Sequence, residues 1–274
     1  MQLTLSTNAT SSRIHSQLGT AELADFLSGL TATSRPIIDQ WFRAAPDIDI
    51  KADASPVTVA DRAVETALRA AIMAQFPGDD IIGEEHADSH GDGSTGYQWV
   101  IDPIDGTKAF ICGKPEFGTL VGLIDKGRPV AGLVDMPALR ETYVGIGTRC
   151  LRNGHPVVVS DCTTLSNARL ATTSPDAFSG VGAAAFDRVK AQAGITSYGG
   201  DCYNYALLAS GHIDLVIEDS LASHDIMGPV AVVMAAGGVV TDLTGAPVLL
   251  GTTTSLIAAA TPSLHAAVLA LVTS

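Results

Sequence analysis

The chain has 274 residues, 46% of them hydrophobic and 16% charged, with 29 acidic side chains against 16 basic ones for a net charge of −13. That is a globular composition, long enough for one large domain or two smaller ones, and its field repels a bare nucleic-acid backbone or an anionic membrane surface. An anionic substrate would need a local attractant, and a bound cation supplies one.

In chain order, the first nineteen residues are rich in Ser and Thr and read as a loose stretch without the apolar core of a secretory leader. From Thr20 to about Gln75 the pattern is helical. Ala60, Ala63, Val64, Ala67, Leu68, Ala71 and Ile72 recur at helical spacing, with Arg62, Glu65 and Arg69 on the other face. Thr58 and Asp61 fit a capping box ahead of that run. Strands are then expected at DIIGEEH, QWVID, GTLVGLIDKGRPVAGLVD (turning at Lys126-Gly127) and ETYVGIG, with a small hairpin at LRNGHPVVVS. Past Arg149, helices and strands alternate, and the run PVAVVMAAGGVV is too short to span a bilayer and predicts a buried helix. The expected fold class is α/β: an α+β half over 20–155, an α/β half over 156–274, and a site in the cleft between them. Cys112, Cys150, Cys162 and Cys202 are scattered with no CxxC, which reads as free thiols of a reducing cytoplasm.

The stretch WVIDPIDGTKAF carries the chemistry. Pro103 disfavours a helical conformation at Asp102, so the strand is expected to stop there and curl. Asp102, the Ile104 carbonyl and Asp105 can then converge, while Gly106 and Thr107 open a short helix with free backbone N–H groups. Hard oxygens beside an anion cradle suit Mg²⁺ with a phosphate. Asp-Pro and Asp-Gly are also ordinary turn formers. Glu84 and Glu85 end an apolar strand and fit a solvated pair as well as a ligand, and Asp225, just ahead of an apolar helix, fits an N-cap equally well.

Taken in order, SPVTVAD, IIGEEH, WVIDPIDGTKAF and HDIMGP…AGGVVTD resemble the inositol-monophosphatase-like family of magnesium-dependent phosphatases, over about Leu23 to Ala260. The resemblance implies a layered αβαβα sandwich with its metal site between the halves. It implies metal ligands at Glu84, Asp102, the Ile104 carbonyl, Asp105, Thr107 and Asp225, with Asp102 bridging two ions; Glu84 and Thr107 complete one shell, Asp105 and Asp225 the other. Two or three Mg²⁺ are implied, with Mn²⁺ a candidate substitute, and a homodimer. Asp61, with Thr107 and Glu84, is implied in activating water, and the amides of Gly106 and Thr107 in holding phosphate.

YGGDCYNYALLASGHIDLVIED, with TTSPDAFSG, is more similar to the histidinol-phosphate phosphatase branch than to the inositol branch. That implies hydrolysis of L-histidinol phosphate in histidine biosynthesis, with inositol phosphate or another small sugar or nucleotide phosphate as the alternative and a non-catalytic metal- or phosphate-binding regulator as the alternative from another class. Histidinol carries an ammonium and an imidazole, so Asp201 and Glu218 are candidate substrate contacts, with Asn204 beside them. Asp201 equally fits a helix N-cap, and Asn204 a structural role. His224 stands where many relatives have Trp; as a poor Mg²⁺ ligand it is expected to line the pocket or pack at the cleft. Lys108 and Lys114 are expected in solvent, Cys112 and Cys202 in packing or in the pocket wall.

Overall fold

The structure, a computed structural model, describes His15 and residues 17–44, 48–50 and 56–274, with side chains at all of these except 48–50, 56–58 and 181. The side-chain cap expected of Thr58, and residues 1–14 and 16, lie outside the described residues. The chain runs α1 (Thr20–Gly29), α2 (Thr31–Trp41), β1 (Ile48–Ile50), β2 (Pro56–Thr58), α3 (Val59–Gln75), β3 (Asp80–Gly83), β4 (Tyr97–Asp105), α4 (Thr107–Ile111), β5 (Gly118–Asp125), β6 (Arg128–Met136), β7 (Glu141–Ile146), β8 (Arg149–Arg152) and β9 (His155–Val157). It continues through β10 (Arg169–Thr172), α5 (Gly180–Lys190), β11 (Ile195–Tyr198), α6 (Tyr203–Ala209), β12 (Leu215–Glu218), α7 (Ser223–Ala235), β13 (Val239–Thr241), β14 (Leu256–Ala259) and α8 (Pro262–Val272). No helix of the described residues is long and apolar enough to cross a membrane.

Strands β3 to β9 form a 7-stranded sheet in chain order, antiparallel except for the β3/β4 pair. The second sheet has 5 strands in the order β11-β10-β12-β14-β13. Period-two alternation sends the two faces of each sheet to different cores. Trp99 and Ile101 of β4 pack toward α1–α3, whereas Val100 faces α6 and α7. In β14, Leu256 and Ala258 face those same central helices, while Ile257 and Ala259 pack with α5 and α8. The order of layers is therefore helices, sheet, the pair α6 and α7, sheet, helices, as the family resemblance implies.

Several elements depart from the sequence reading. The helical stretch to Gln75 is interrupted by the β1/β2 hairpin, whose antiparallel register pairs Ile48 with Thr58. The stretch read as loose through residue 19 ends in an anchor: His15 is fully buried, with Nε2 3.0 Å from Asp79 Oδ2 and its ring against Phe76 and Tyr97. The hairpin β8/β9 belongs to the first sheet, so pairing with that sheet runs past residue 155 to Val157. Helix α7 comes from the later half yet lies on β5, β6 and β7 of the first sheet, so the halves interlock.

What allows α7 to lie so close is a seam of glycines. Gly122, Gly132 and Gly145 are directly paired across β5, β6 and β7. A Cβ on Gly132 would come within 2.3 Å of the Gly228 carbonyl oxygen, and one on Gly145 within 2.5 Å of Val232 Cα. Backbone meets backbone here, and no flexible side chain can absorb an added methyl. Gly132→Ala is therefore expected to destabilise the fold by about 1–3 kcal/mol. Gly29→Ala is expected to be neutral or slightly stabilising, because no atom lies within 4 Å of its added carbon. Urea denaturation of the two variants checks the contrast.

Candidate active site

Side chains at positions i and i+3 of a regular strand project to opposite faces. Asp102 and Asp105 escape this rule because β4 carries a bulge. Asp102 pairs with Leu120 and Asp105 with Gly118, so one extra residue lies between them. Pro103, with no N–H to donate, is accommodated there, and its carbonyl accepts a 2.8 Å hydrogen bond from the Thr119 hydroxyl. The strand thus runs on to Asp105 rather than stopping at Asp102 as expected, and the bulge brings both carboxylates to one side. The Ile104 side chain is buried on the opposite face, while its carbonyl accepts from the Thr107 hydroxyl at 3.1 Å. Gly106, at φ 80°, turns the chain into α4.

Parallel pairing of Gly83 with Ile101 sets Glu84 beside Asp102. The turn that carries Glu84 is held from below by α3. Buried Glu65 accepts from the backbone N–H of Glu85 at 2.7 Å and of His86 at 3.3 Å, and is itself held by Arg69 Nε at 2.7 Å. The helix face opposite the apolar run is therefore, at Glu65 and Arg69, a buried clamp. Asp225 arrives on the first turn of α7. It is not the N-cap, a position held by Ala222, but one of its oxygens accepts from the Ala222 N–H at 2.6 Å, and the carboxylate still joins the cluster. Asp61, on the first turn of α3, is 1% exposed.

Two groups of side chains can each offer atoms lying within 4.8 Å of one another: Asp102, Asp105 and Asp225 in one, Glu84, Asp102 and His224 in the other. Asp102 belongs to both. Burial, and then the charges of Asp105, Glu84, Asp225 and Asp61, push its carboxyl well above the ordinary range. Asp105 is raised by burial and by Asp201 and Asp225, against the Cys202 N–H that donates to it at 2.7 Å. Asp225 is raised by burial, against His224 and the Ala222 amide. Asp102 is 2% exposed, and its Oδ1 has no hydrogen-bond partner among the described residues. A buried carboxylate oxygen left without a donor, within a set of converging hard oxygens, fits a divalent cation.

Beside the cluster is a cavity of about 450 Å³ whose wall includes Glu84, Asp105, Gly106, Thr107, Asp201 and Glu218. Asp201 has positive φ and is not the N-cap of α6, a position held by Cys202. Its carboxylate lies over Gly106, where a Cβ would approach within 3.1 Å. Burial and the Glu116 charge raise it to about 6, against Lys108 and Lys114. Lys108, exposed, also borders the cavity, and Cys202 is a buried wall residue as expected. Glu218 reaches about 7 through burial, although it accepts from the Thr173 N–H at 2.7 Å, the Thr173 hydroxyl at 2.9 Å and the Thr172 hydroxyl at 3.2 Å. Asn204, expected at the substrate, is set behind the wall. Its amide donates to the Gly199 carbonyl at 2.8 Å and braces the turn that presents Asp201. Tyr205 escaped the sequence reading because its spacing is that of a core residue; its buried hydroxyl borders the cavity with no hydrogen-bond partner among the described residues.

The model of the inositol monophosphatase family matches residues 20–274. The chain belongs to that family. The bifunctional phosphatase IMPL2 of Arabidopsis thaliana, a chloroplastic protein, is 44% identical over 89% of this chain and 71% of its own length. The histidinol-phosphatase of Chlorobaculum parvum is 34% identical over 82% of this chain and 84% of its own. An inositol monophosphatase structure from Zymomonas mobilis superposes with a TM-score of 0.83 at 38% identity, covering 93% of this chain and 98% of that one. Enzymes of the family depend on metal, in keeping with the converging carboxylates.

The raised carboxylates have a consequence for stability. A group that binds its proton more tightly when folded favours the fold at low pH, and that advantage is lost as pH climbs through the folded pKa. The window opens near the ordinary carboxylate value of about 4 and extends through about 6 for Asp201 and about 7 for Glu218. The melting temperature of the metal-free protein should fall between about pH 5 and pH 8, and millimolar Mg²⁺ should raise it more at the higher pH. Thermal denaturation with and without EDTA checks this; a melting temperature indifferent to Mg²⁺ at pH 8 contradicts the cation site.

Proposed function

We propose that this phosphatase-family member hydrolyses L-histidinol phosphate to L-histidinol and phosphate in a Mg²⁺-dependent reaction. The observation that carries the reading is the surplus of carboxylate in the cavity. Asp201 and Glu218 share it with the cation cluster, and burial raises both. A neutral polyol leaves such groups without an opposite charge, whereas an ammonium and an imidazole supply one. The histidinol-phosphatase and bifunctional-phosphatase relatives support the same choice. Inositol phosphate is the second reading, favoured by the likeness to the Zymomonas mobilis enzyme.

In this reading Glu84, Asp102, Asp105, Asp225 and the Ile104 carbonyl hold the ions. Bound magnesium supplies neutralisation of the phosphate charge and acidification of the attacking water. The amides of Gly106 and Thr107, at the open first turn of α4, orient the phosphate. Thr107 donates its hydroxyl proton to the Ile104 carbonyl, which leaves its oxygen free to accept from the attacking water. Asp61 takes up the proton that water loses, which can then pass to the departing alkoxide oxygen, while Glu84 would act through the ion it holds. Asp201 faces the amine of the leaving alcohol. Glu218, held by the Thr173 N–H, faces the imidazole, and Asn204 acts as a positioning group that fixes the Asp201 turn.

Release of phosphate from histidinol phosphate and from inositol 1-phosphate, compared as kcat/KM, tests the proposal; a preference for the inositol ester refutes it. Asp102→Asn should lower kcat by on the order of a thousandfold or more, since it removes the charge common to both ion-binding groups. Asp201→Ala should lower kcat/KM for histidinol phosphate by about 10- to 100-fold and leave an aryl phosphate within about threefold. Equal losses on the two substrates would assign Asp201 to structure alone.

A further inference from the structure

His224 stands where many relatives have Trp, and the structure sets it at the cleft beside Glu84 and Asp102. Its ring offers a nitrogen within 4.8 Å of a carboxylate oxygen of Glu84 and of one of Asp102, which are themselves that close together. Nε2 lies 3.6 Å from Asp225 Oδ1, too far for a hydrogen bond, and the ring makes no hydrogen bond among the described residues. Consecutive helical residues project about 100° apart. From the first turn of α7, His224 and Asp225 therefore serve neighbouring positions, one grouped with Glu84 and Asp102, the other with Asp102 and Asp105. The partnerless Oδ1 of buried Asp102 independently marks the place as one that expects a ligand.

We infer that His224 supplies a nitrogen donor to the ion held by Glu84 and Asp102, and that it shifts this position from Mg²⁺ toward a first-row transition ion such as Mn²⁺. This rests on the metal-dependent reading above and adds to it a ligand and a metal preference. Mg²⁺ favours oxygen, whereas imidazole is a good donor to transition ions, so one nitrogen in an otherwise carboxylate shell separates the two metals. A tryptophan at this position offers no such lone pair.

The test uses the purified full chain, freed of metal and loaded with Mn²⁺. Free Mn²⁺ is counted by its electron paramagnetic resonance signal, and electron spin-echo modulation reports whether ¹⁴N is bonded to the ion. The wild type is expected to show strong nitrogen modulation. His224→Phe and His224→Gln are both expected to lose it, with Mn²⁺ affinity falling about tenfold and Mg²⁺ affinity, measured by calorimetry, staying within about threefold. Binding of Mn²⁺ without nitrogen modulation in the wild type overturns the ligand and leaves the phosphatase reading standing. Modulation that survives in either variant overturns it too. Failure of the wild type to bind either ion overturns both readings. Should the variants fail to fold, the wild-type spectrum still decides, because His224 is the one imidazole in the ion-binding groups found among the described residues.

Discussion

Like charges gathered below a protein surface push one another apart, and this fold has to hold Glu84, Asp102, Asp105 and Asp225 together against that push. Each is fixed by a different device. The bulge in β4 turns Asp102 and Asp105 to one side. The Glu65–Arg69 clamp fixes the backbone after Glu84. The glycine seam seats α7 on the first sheet and so fixes the origin of Asp225. With an ion among them the repulsion becomes attraction; without one, the carboxyls hold their protons more tightly.

The parts of this that were legible in the sequence are local. Asp-Pro-Ile-Asp-Gly-Thr states its chemistry within a few residues, and period-two runs gave most strands of the first sheet. Other parts depend on distant partners. The bulge is defined by the strand opposite, so Pro103 alone suggests a stop. Glu65 and Arg69 have the spacing of an exposed i,i+4 pair, and only the loop packed over them shows otherwise. Gly122, Gly132 and Gly145 read as weak points of strands until a helix from about a hundred residues later lies on them. Asn204 fits a substrate contact or a structural role from sequence alone, and its amide reaches the backbone of its own turn. For His224 the sequence shows a residue that lines the pocket or packs at the cleft, and only the fold sets its ring beside Glu84 and Asp102.

The cavity divides its electrostatics between two sides. Carboxylates on the first sheet and on α7 converge on a place that suits a cation, while Asp201 and Glu218 line the cavity beside it. Lys108 and Lys114 temper Asp201 without cancelling its burial. The proposed substrate, negative at phosphorus and positive at its far end, matches both sides.

The turn at Gly199–Gly200 carries Asp201 on a short connection out of β11, in the second sheet, apart from the strands that set the metal ligands. The connection is nonetheless tied to the cluster, because the Cys202 N–H donates to Asp105 at 2.7 Å and the Asp201 carboxylate lies over Gly106. Any rewriting between Tyr198 and Asn204 therefore reaches two places at once, the wall of the cavity and the footing of Asp105, so neither can drift independently of the other.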